Sequence, residues 1–330
     1  MPTSTRPEIS ICTTCYNNKN RIRESLDSII SCPHFDDRME LVIAENYSTD
    51  GTWDIIQEYA RKHKNIVAFR AKCTIGEGRA LAFTRSKGKF VTSTDMDMVY
   101  DPVHWKMVWK YAEICKKDDI WLLGTFMFRE TMERIGNWSS MASAEDMELF
   151  VRASTKYKMN LCVAPITTGE NEVVRGRRGM RYEKSLLKKL RYGLKHATAV
   201  ISSNGLKFSD IKSGRPMDEI SLKILYIWMK LTGKKIYRYG NAPNPEIMWN
   251  NITLVDPSKL GIDKQYWLYY LDGRFRKPLN RNINKLVSWG FNKICISQHG
   301  VLLYTDKTHK KLLESYAQNL SNDEASEMEL

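Results

Sequence analysis

The residues best placed to do chemistry lie in FVTSTDMDMVYDP, residues 90–102. A strand-like apolar run opens there onto Asp95, Met96 and Asp97, with Asp101-Pro102 just beyond. On a strand, residues i and i+2 point the same way, so Asp95 and Asp97 are expected to aim two carboxylates at one point. Two anionic oxygens with no His or Cys beside them suit a hard divalent ion, Mn2+ or Mg2+, whose shell is usually completed by substrate phosphates. A second acidic pair, Glu145-Asp146, opens the helical stretch SAEDMELFVRAS, residues 143–154. A carboxylate there could take a proton from a hydroxyl. The Ser143-to-Asp146 spacing is also that of a capping box, in which Asp146 would only hold a helix end.

These acids need a scaffold, and the chain spells one out. EISICTTCY (8–16), ELVIAE (40–45), NIVAFRA (65–71) and KFVTST (89–94) read as strands. Between them, residues 21–31, WDIIQEYARKH (53–63) and GRALAFTRSKG (78–88) read as helices, the last closed by a glycine. Asp101 is expected to cap a further helix with Pro102 at its first position. Strand and helix alternating over short links predict a Rossmann-like, mostly parallel sheet with helices on both faces. In such sheets ligands bind at the carboxyl ends of the strands. Thr14–Asn17, Glu45-Asn46 and Asp95–Asp97 all fall there. From about residue 200 the alternation is lost, and aromatic-rich helical pieces such as SLKILYIWMKL lead to an acidic tail, SNDEASEMEL.

The chain has 330 residues, 42% apolar and 27% charged, which is globular and long enough for one large domain or two. It shows no apolar run of about 18 residues and no leader-like start, so a soluble or peripheral cytoplasmic protein is expected. Seven scattered cysteines fit reduced thiols, and Cys12-x-x-Cys15 lacks the partners of a zinc or redox motif. The net charge of +13 is uneven. Residues 1–165 hold 23 Lys and Arg against 22 Asp and Glu; residues 166–330 hold 28 against 16. The excess is densest at RGRRGMRYEKSLLKKLRYGLK, residues 175–195, with nine basic residues and one acid. Such a segment attracts phosphates. Leu187, Leu190 and Leu194 share one helical face there, and SLKILYIWMKL adds amphipathic surface, which suits an interfacial helix or an ordinary basic face packed on the core.

Taken in order, the motifs resemble those of the inverting glycosyltransferases of family 2, which have the GT-A fold. Thr14-Cys15-Tyr16-Asn17 ends the first strand, and Glu45-Asn46-Tyr47-Ser48-Thr49-Asp50-Gly51-Thr52 follows the second. Gly78-Arg79-Ala80 and Gly88 precede Asp95-Met96-Asp97. Then come Gly124 to Arg129-Glu130, Gly136-Asn137-Trp138, and Glu145-Asp146 with Arg152 downstream. The resemblance covers about residues 8–200. It implies a GT-A catalytic domain over 1–200 and a C-terminal extension over 201–330 for acceptor or membrane. It implies a nucleotide-diphosphate sugar donor, UDP- or GDP-linked, and a glycan or lipid-linked acceptor. Thr14 and Tyr16 would line the nucleobase pocket, and Glu45 or Asn46 would bind base or ribose. Arg79 would lie near base or diphosphate, Asp95 and Asp97 would hold ribose and metal, and Asp146 would be the general base. Trp138 is placed either against a sugar or in the core. The chain departs from the family pattern at Glu45-Asn46, where Asp is common, and in ITTGENEVVRGRRG, residues 166–179, which has no His. Arg175, Arg177 and Arg178 could serve the diphosphate there.

Three other readings bear on the same residues. Gly76-Glu77-Gly78 hints at a dinucleotide fold, but Leu81 stands at the third glycine position and the motif follows the third strand. A non-enzymatic membrane- or nucleic-acid-binding protein would explain the basic half but not the acids at the strand ends. Nucleic acid is therefore not expected as a partner. A polyprenyl-phosphate acceptor at the inner membrane face, with peripheral membrane association, explains both.

Overall fold

The computed structural model describes residues 6–166 without interruption and, beyond them, residues 194, 197–198, 201–202, 207–211, 216–234, 236, 252–272, 284–297 and 300–304. Apart from Leu194, the basic segment 175–195 lies outside these, as do Arg175, Arg177, Arg178 and the acidic tail. The chain divides into two compact units, Met1–Cys162 and Val163–Leu330.

In the first unit, β1 (Ile9–Cys15), β2 (Met39–Glu45), β3 (Ile66–Arg70) and β4 (Phe90–Ser93) form a parallel sheet in the order β3-β2-β1-β4, and β6 (Met127–Phe128) adds an antiparallel edge beside β4. The crossovers are α1 (Ile22–Ile30), the single turn α2 (Phe35–Arg38), α3 (Thr52–Lys62) and α4 (Ile75–Arg85). This is the expected α/β architecture. β2 is buried along its whole length, as the continuous run MELVIAE requires of a central strand covered on both sides. Ile9, Ile11, Leu41, Val42 and Ile43 have no exposed surface. Each such side chain is worth about 1.5–3 kcal/mol relative to leaving it in water. Cys12 and Cys15 are buried and unlinked on β1, and burial pushes the Cys12 thiol up to about 12. Asp101 does cap α5 (Pro102–Ile114), its carboxylate accepting from Val103 N at 2.9 Å. The unit continues with β5 (Asp119–Trp121), α6 (Arg129–Ile135), α7 (Glu145–Lys156) and β7 (Asn160–Val163), which pairs in parallel with β5.

Two element boundaries differ from the sequence expectation. α4 begins at Ile75, three residues before Gly78, because Thr74 and Glu77 form a reciprocal capping box. It ends at Arg85 with Ser86 extended, so Gly88 closes nothing. Gly88 is needed for space instead: a Cβ there would lie 2.5 Å from Ser10 Oγ.

Within the second unit, α8 (Pro216–Leu231) packs Leu225, Tyr226 and Met229 with Ile201 and Ile211. β9 (Leu268–Asp272), β10 (Asn292–Ser297) and β11 (Gly300–Tyr304) form an antiparallel sheet in the order β10-β11-β9, and β8 (Ile252–Leu254) precedes them. The extension is therefore not only helical. Its strands are three to six residues long, too short for their periodicity to stand out from the surrounding aromatic sequence.

Candidate active site

The carboxyl ends of β1 and β2 carry loops that are fastened to one another. Asn17 N donates to Ser48 Oγ at 2.8 Å, and Thr49 N donates to Asn17 Oδ1 at 2.9 Å. Asn18 N donates to Thr52 Oγ1 at 2.8 Å and Lys19 N to Asp50 Oδ2 at 3.0 Å. Glu45 is wholly buried and accepts from Tyr47 N, Ser48 N and Arg70 Nε at 3.1, 2.5 and 2.8 Å. These bonds hold Tyr47 at φ 51° and Asn17 at φ 45°, left-handed conformations that side chains other than glycine seldom adopt. Such strain persists where the surroundings over-determine it, and it gathers at ligand sites. The rings of Tyr16 and Tyr47 are left more than half exposed, with the Arg70 guanidinium 4.7 Å from the Tyr47 ring centroid. Asn46 Oδ1 accepts from Cys73 N at 3.1 Å, and Thr14 Oγ1 donates to Ala44 O at 3.0 Å.

The Asp95–Asp97 segment is a turn past the end of β4, not a continuation of the strand. Strand alternation therefore does not set its geometry. Three contacts do. The Tyr100 hydroxyl accepts from Asp95 N at 2.7 Å and donates to Asp95 O at 3.1 Å; Asn18 Nδ2 donates to Met96 O; Arg21 Nη1 donates to Asp97 O at 3.4 Å. Tyr100 is itself tied to α1, since its N donates to Ser28 Oγ at 3.0 Å. All of these use backbone atoms of the turn.

Arg79 sits at the centre of the acids, only 4% exposed. Its Nη2 donates to Asp95 Oδ1 at 2.7 Å, and its Nη1 to Glu145 Oε1 at 2.5 Å and to Asp146 Oδ1. One cation therefore faces three carboxylates. Burial works against the Arg79 charge, but Asp146, Asp95 and Glu145 together hold its pKa above the ordinary arginine value. Glu145 is nearly as buried. Burial first, with Asp146 and Asp95 adding repulsion against the pull of Arg79, raises its pKa to about 7. α7 starts at Glu145 with Ala144 at its cap position, φ 58°, and no side chain caps it. Asp146 is thus the second helical residue, and its carboxylate turns to Arg79 instead of to the helix end.

A test of this charge balance follows. Folded Glu145 binds its proton more tightly than unfolded Glu145. Its contribution to stability is present below about pH 4.5 and is lost as pH rises through about 7. At ~1.4 kcal/mol per pKa unit, a rise from 4.5 to about 7 makes that loss on the order of 3–4 kcal/mol. Relative to wild type, Glu145→Gln should therefore gain stability between pH 5 and 7.5 in urea unfolding. Equal differences at the two pH values would mean that Glu145 is already charged at pH 5.

Arg79 thus lies among the acids, bridging Asp95 to the Glu145-Asp146 pair. Trp138 is a core residue, 4% exposed and edge-on to Phe83. Arg152 is structural: it grips Glu148 with two bonds at 2.9 and 3.0 Å and donates to Ile135 O and Asn137 O. Arg129 binds Gly88 O at 2.6 Å and Ser86 Oγ at 2.7 Å. Gly76 and Gly78 are close-packing residues inside α4. A Cβ on Gly78 would lie 2.5 Å from Thr14 Oγ1, and one on Gly76 2.0 Å from Ser139 O. Sequence reasoning did not single out Tyr47, Asn18, Tyr100 or the pairing of Glu145 with Arg79. Tyr47 had the signal of a quoted motif; the other three depend on contacts between distant segments.

Glu45 and Asp95 lie at the carboxyl edge of a parallel sheet, where such sheets bind ligands, and Arg79 joins Asp95 to Glu145 and Asp146. The chain belongs to glycosyl transferase family 2, which it matches over residues 10–197, more than half its length. It is similar to TuaG of Bacillus subtilis strain 168, named for teichuronic acid biosynthesis, at 30% identity over 99 residues, 29% of this chain and 38% of TuaG. It is similar also to the poly(ribitol-phosphate) beta-glucosyltransferase of Bacillus spizizenii, at 30% over 95 residues, 27% of this chain and 15% of that protein. The chain thus matches well under half the length of these relatives. Among solved structures, mannosyltransferase PcManGT from Pyrobaculum calidifontis, in complex with GDP-Man and Mn2+, aligns over 70% of this chain and 72% of its own, with TM-score 0.45 and 16% identity. S. aureus TarS 1–349 with UDP-GlcNAc aligns over 44% and 53%, with TM-score 0.39 and 19% identity.

Proposed function

We propose that the protein transfers a sugar, with inversion, from a UDP- or GDP-linked donor to an acceptor hydroxyl, assisted by a divalent ion and with Asp146 as general base. The Arg79 cluster carries this reading. A single guanidinium joins Asp95 of the acidic turn to Asp146 of the second acidic pair. Donor-side and acceptor-side carboxylates thereby lie within one side chain's reach, as in-line displacement at a sugar carbon requires.

Asp95 and Asp97 are the residues that would hold Mn2+ or Mg2+. Among the described residues no group of three or more His, Cys, Asp or Glu is arranged around a metal position. Two carboxylates fit an ion of this kind, which is commonly held by one or two carboxylates with the substrate's phosphates. When bound, it would stabilise the charge that builds on the departing diphosphate. The chain's own residues do the rest. The exposed Tyr16 ring and Thr14 line the base pocket, with Tyr47 beside them. Asn46 contacts base or ribose, while Glu45, spent on backbone donors, keeps that loop in shape. Asp146 accepts the acceptor's hydroxyl proton. Arg79 balances the acids until the donor's charge arrives.

A second reading concerns the acceptor alone: a lipid-linked glycan or a polyprenyl phosphate at the cytoplasmic face of a membrane. The excess of 28 basic against 16 acidic residues in the second half favours it, because transfer itself needs only a few cations.

Screening UDP- and GDP-sugars with Mn2+ or Mg2+ for released nucleoside diphosphate tests the reaction. One donor class should turn over and should raise the melting temperature together with the metal. If no donor of either class is hydrolysed or stabilises the protein, while nucleic acid does, the proposal fails.

A further inference from the structure

α8 carries apolar side chains on two opposite faces. Leu225, Tyr226 and Met229 point into the core of their own unit. Ile220, Ile224, Ile227, Trp228 and Leu231 point outward, between 44% and 82% exposed. At about 100° per residue these five fall within an arc of roughly 100°, a continuous stripe along the helix. Lys223 and Lys230 follow one edge of that stripe at the spacing i, i+7, and Lys223 is ion-paired with Glu219. A water-facing helix normally turns its polar side outward, and a contiguous exposed apolar strip marks a contact surface.

We propose that this face of α8 seats the protein on an anionic lipid surface. The five apolar side chains enter the boundary between headgroups and acyl chains, and Lys230 at the edge of the stripe meets lipid phosphates. The helix has 16 residues, about 24 Å, against a hydrocarbon core of about 30 Å, so it lies along the surface and does not cross. Among the described residues no helix is long and apolar enough to span a membrane. Charge selects lipid over a second copy of the chain. Two copies meeting here would bring together two halves that each carry 28 basic against 16 acidic residues, whereas an anionic bilayer is complementary to both. The inference deepens the membrane-face reading of the acceptor and rests on it for its purpose, but it concerns different residues and is tested separately.

The test uses the full chain and sedimentation with phosphatidylcholine vesicles, with and without phosphatidylglycerol, at low and high salt. Wild type should sediment with the anionic vesicles and keep a salt-resistant fraction, because apolar insertion is not screened. Its tryptophan emission should shift to the blue on binding, and Trp228→Phe should remove most of that shift. The triple variant Ile224→Ser, Ile227→Ser, Leu231→Ser should partition at least tenfold less at high salt. Its melting temperature and its turnover with a soluble acceptor should not change. The proposal is overturned if wild type stays in the supernatant, or if the triple variant sediments as wild type does at high salt. It is overturned too if wild type is a dimer in solution that the triple variant dissociates, since the face would then belong to a second copy. Binding through α8 by an enzyme that accepts only soluble glycans would support the docking face and remove the lipid-acceptor reading.

Discussion

Asp146→Asn is expected to bind the donor as wild type does and to transfer sugar at least about a thousandfold more slowly, within the range lost when a positioned general base is removed. Asn keeps an oxygen that can accept from Arg79, so the cluster keeps its shape while losing the group that takes the proton. Donor affinity by calorimetry and single-turnover transfer separate the two effects. Asp146→Ser is the useful companion, because Ser caps helices well and is no carboxylate base. No side chain caps α7, and Ala144 holds the cap position, so Ser at 146 should rescue nothing. If both variants lose melting temperature and donor affinity together, yet keep activity per folded molecule, Asp146 is structural and the catalytic assignment is wrong.

Asp97→Asn should reduce transfer by about a thousandfold or more, since a divalent ion supplies several kcal/mol of charge stabilisation and each ~1.4 kcal/mol is a factor of ten. The fold should survive. The turn is shaped through its backbone, by Tyr100, Asn18 and Arg21, and the substitution touches none of those bonds. Wild type in EDTA should behave like the variant and recover with Mn2+. An Asp97→Asn enzyme of full activity, or a wild type indifferent to chelation, would show that the pair binds no metal.

Much of the sheet is legible in the chain because β1, β2 and β4 are buried almost throughout. MELVIAE and EISICTTCY read as strands from apolar content alone, and Asp101-Pro102 announces α5 by local chemistry. Errors arose where two local signals competed. Gly76-Glu77-Gly78 resembles a dinucleotide turn ahead of a helix at Gly78, yet Thr74 and Glu77 start the helix at Ile75. Asp95 and Asp97 look like strand residues because an apolar run leads to them, but the chain turns after Ser93 and a tyrosine hydroxyl takes over the backbone bonds that a neighbouring strand would have made. The acids could be found from their types and from where the strands end. That Arg79 gathers them could not, since Glu145 is 66 residues away and only the folded chain brings them together. The burial that raises the Glu145 pKa is likewise a property of the packed structure alone.

The first turn of α4 has almost no clearance. The Gly78 Cα lies against Thr14 at the end of β1, and Gly76 lies against the backbone of Ser139 on the approach to α7. The next residue after Gly78 is Arg79. The helix is therefore a gauge block between two parts of the site, and its missing methyl groups set the spacing at which one guanidinium can touch acids from both. A single added carbon at position 78 would collide with the Thr14 side chain, so that side chain or the helix that carries Arg79 would have to shift. The charge chemistry of the site is in this sense machined to a tolerance smaller than one methyl group, held by two residues that carry no charge and no functional group at all.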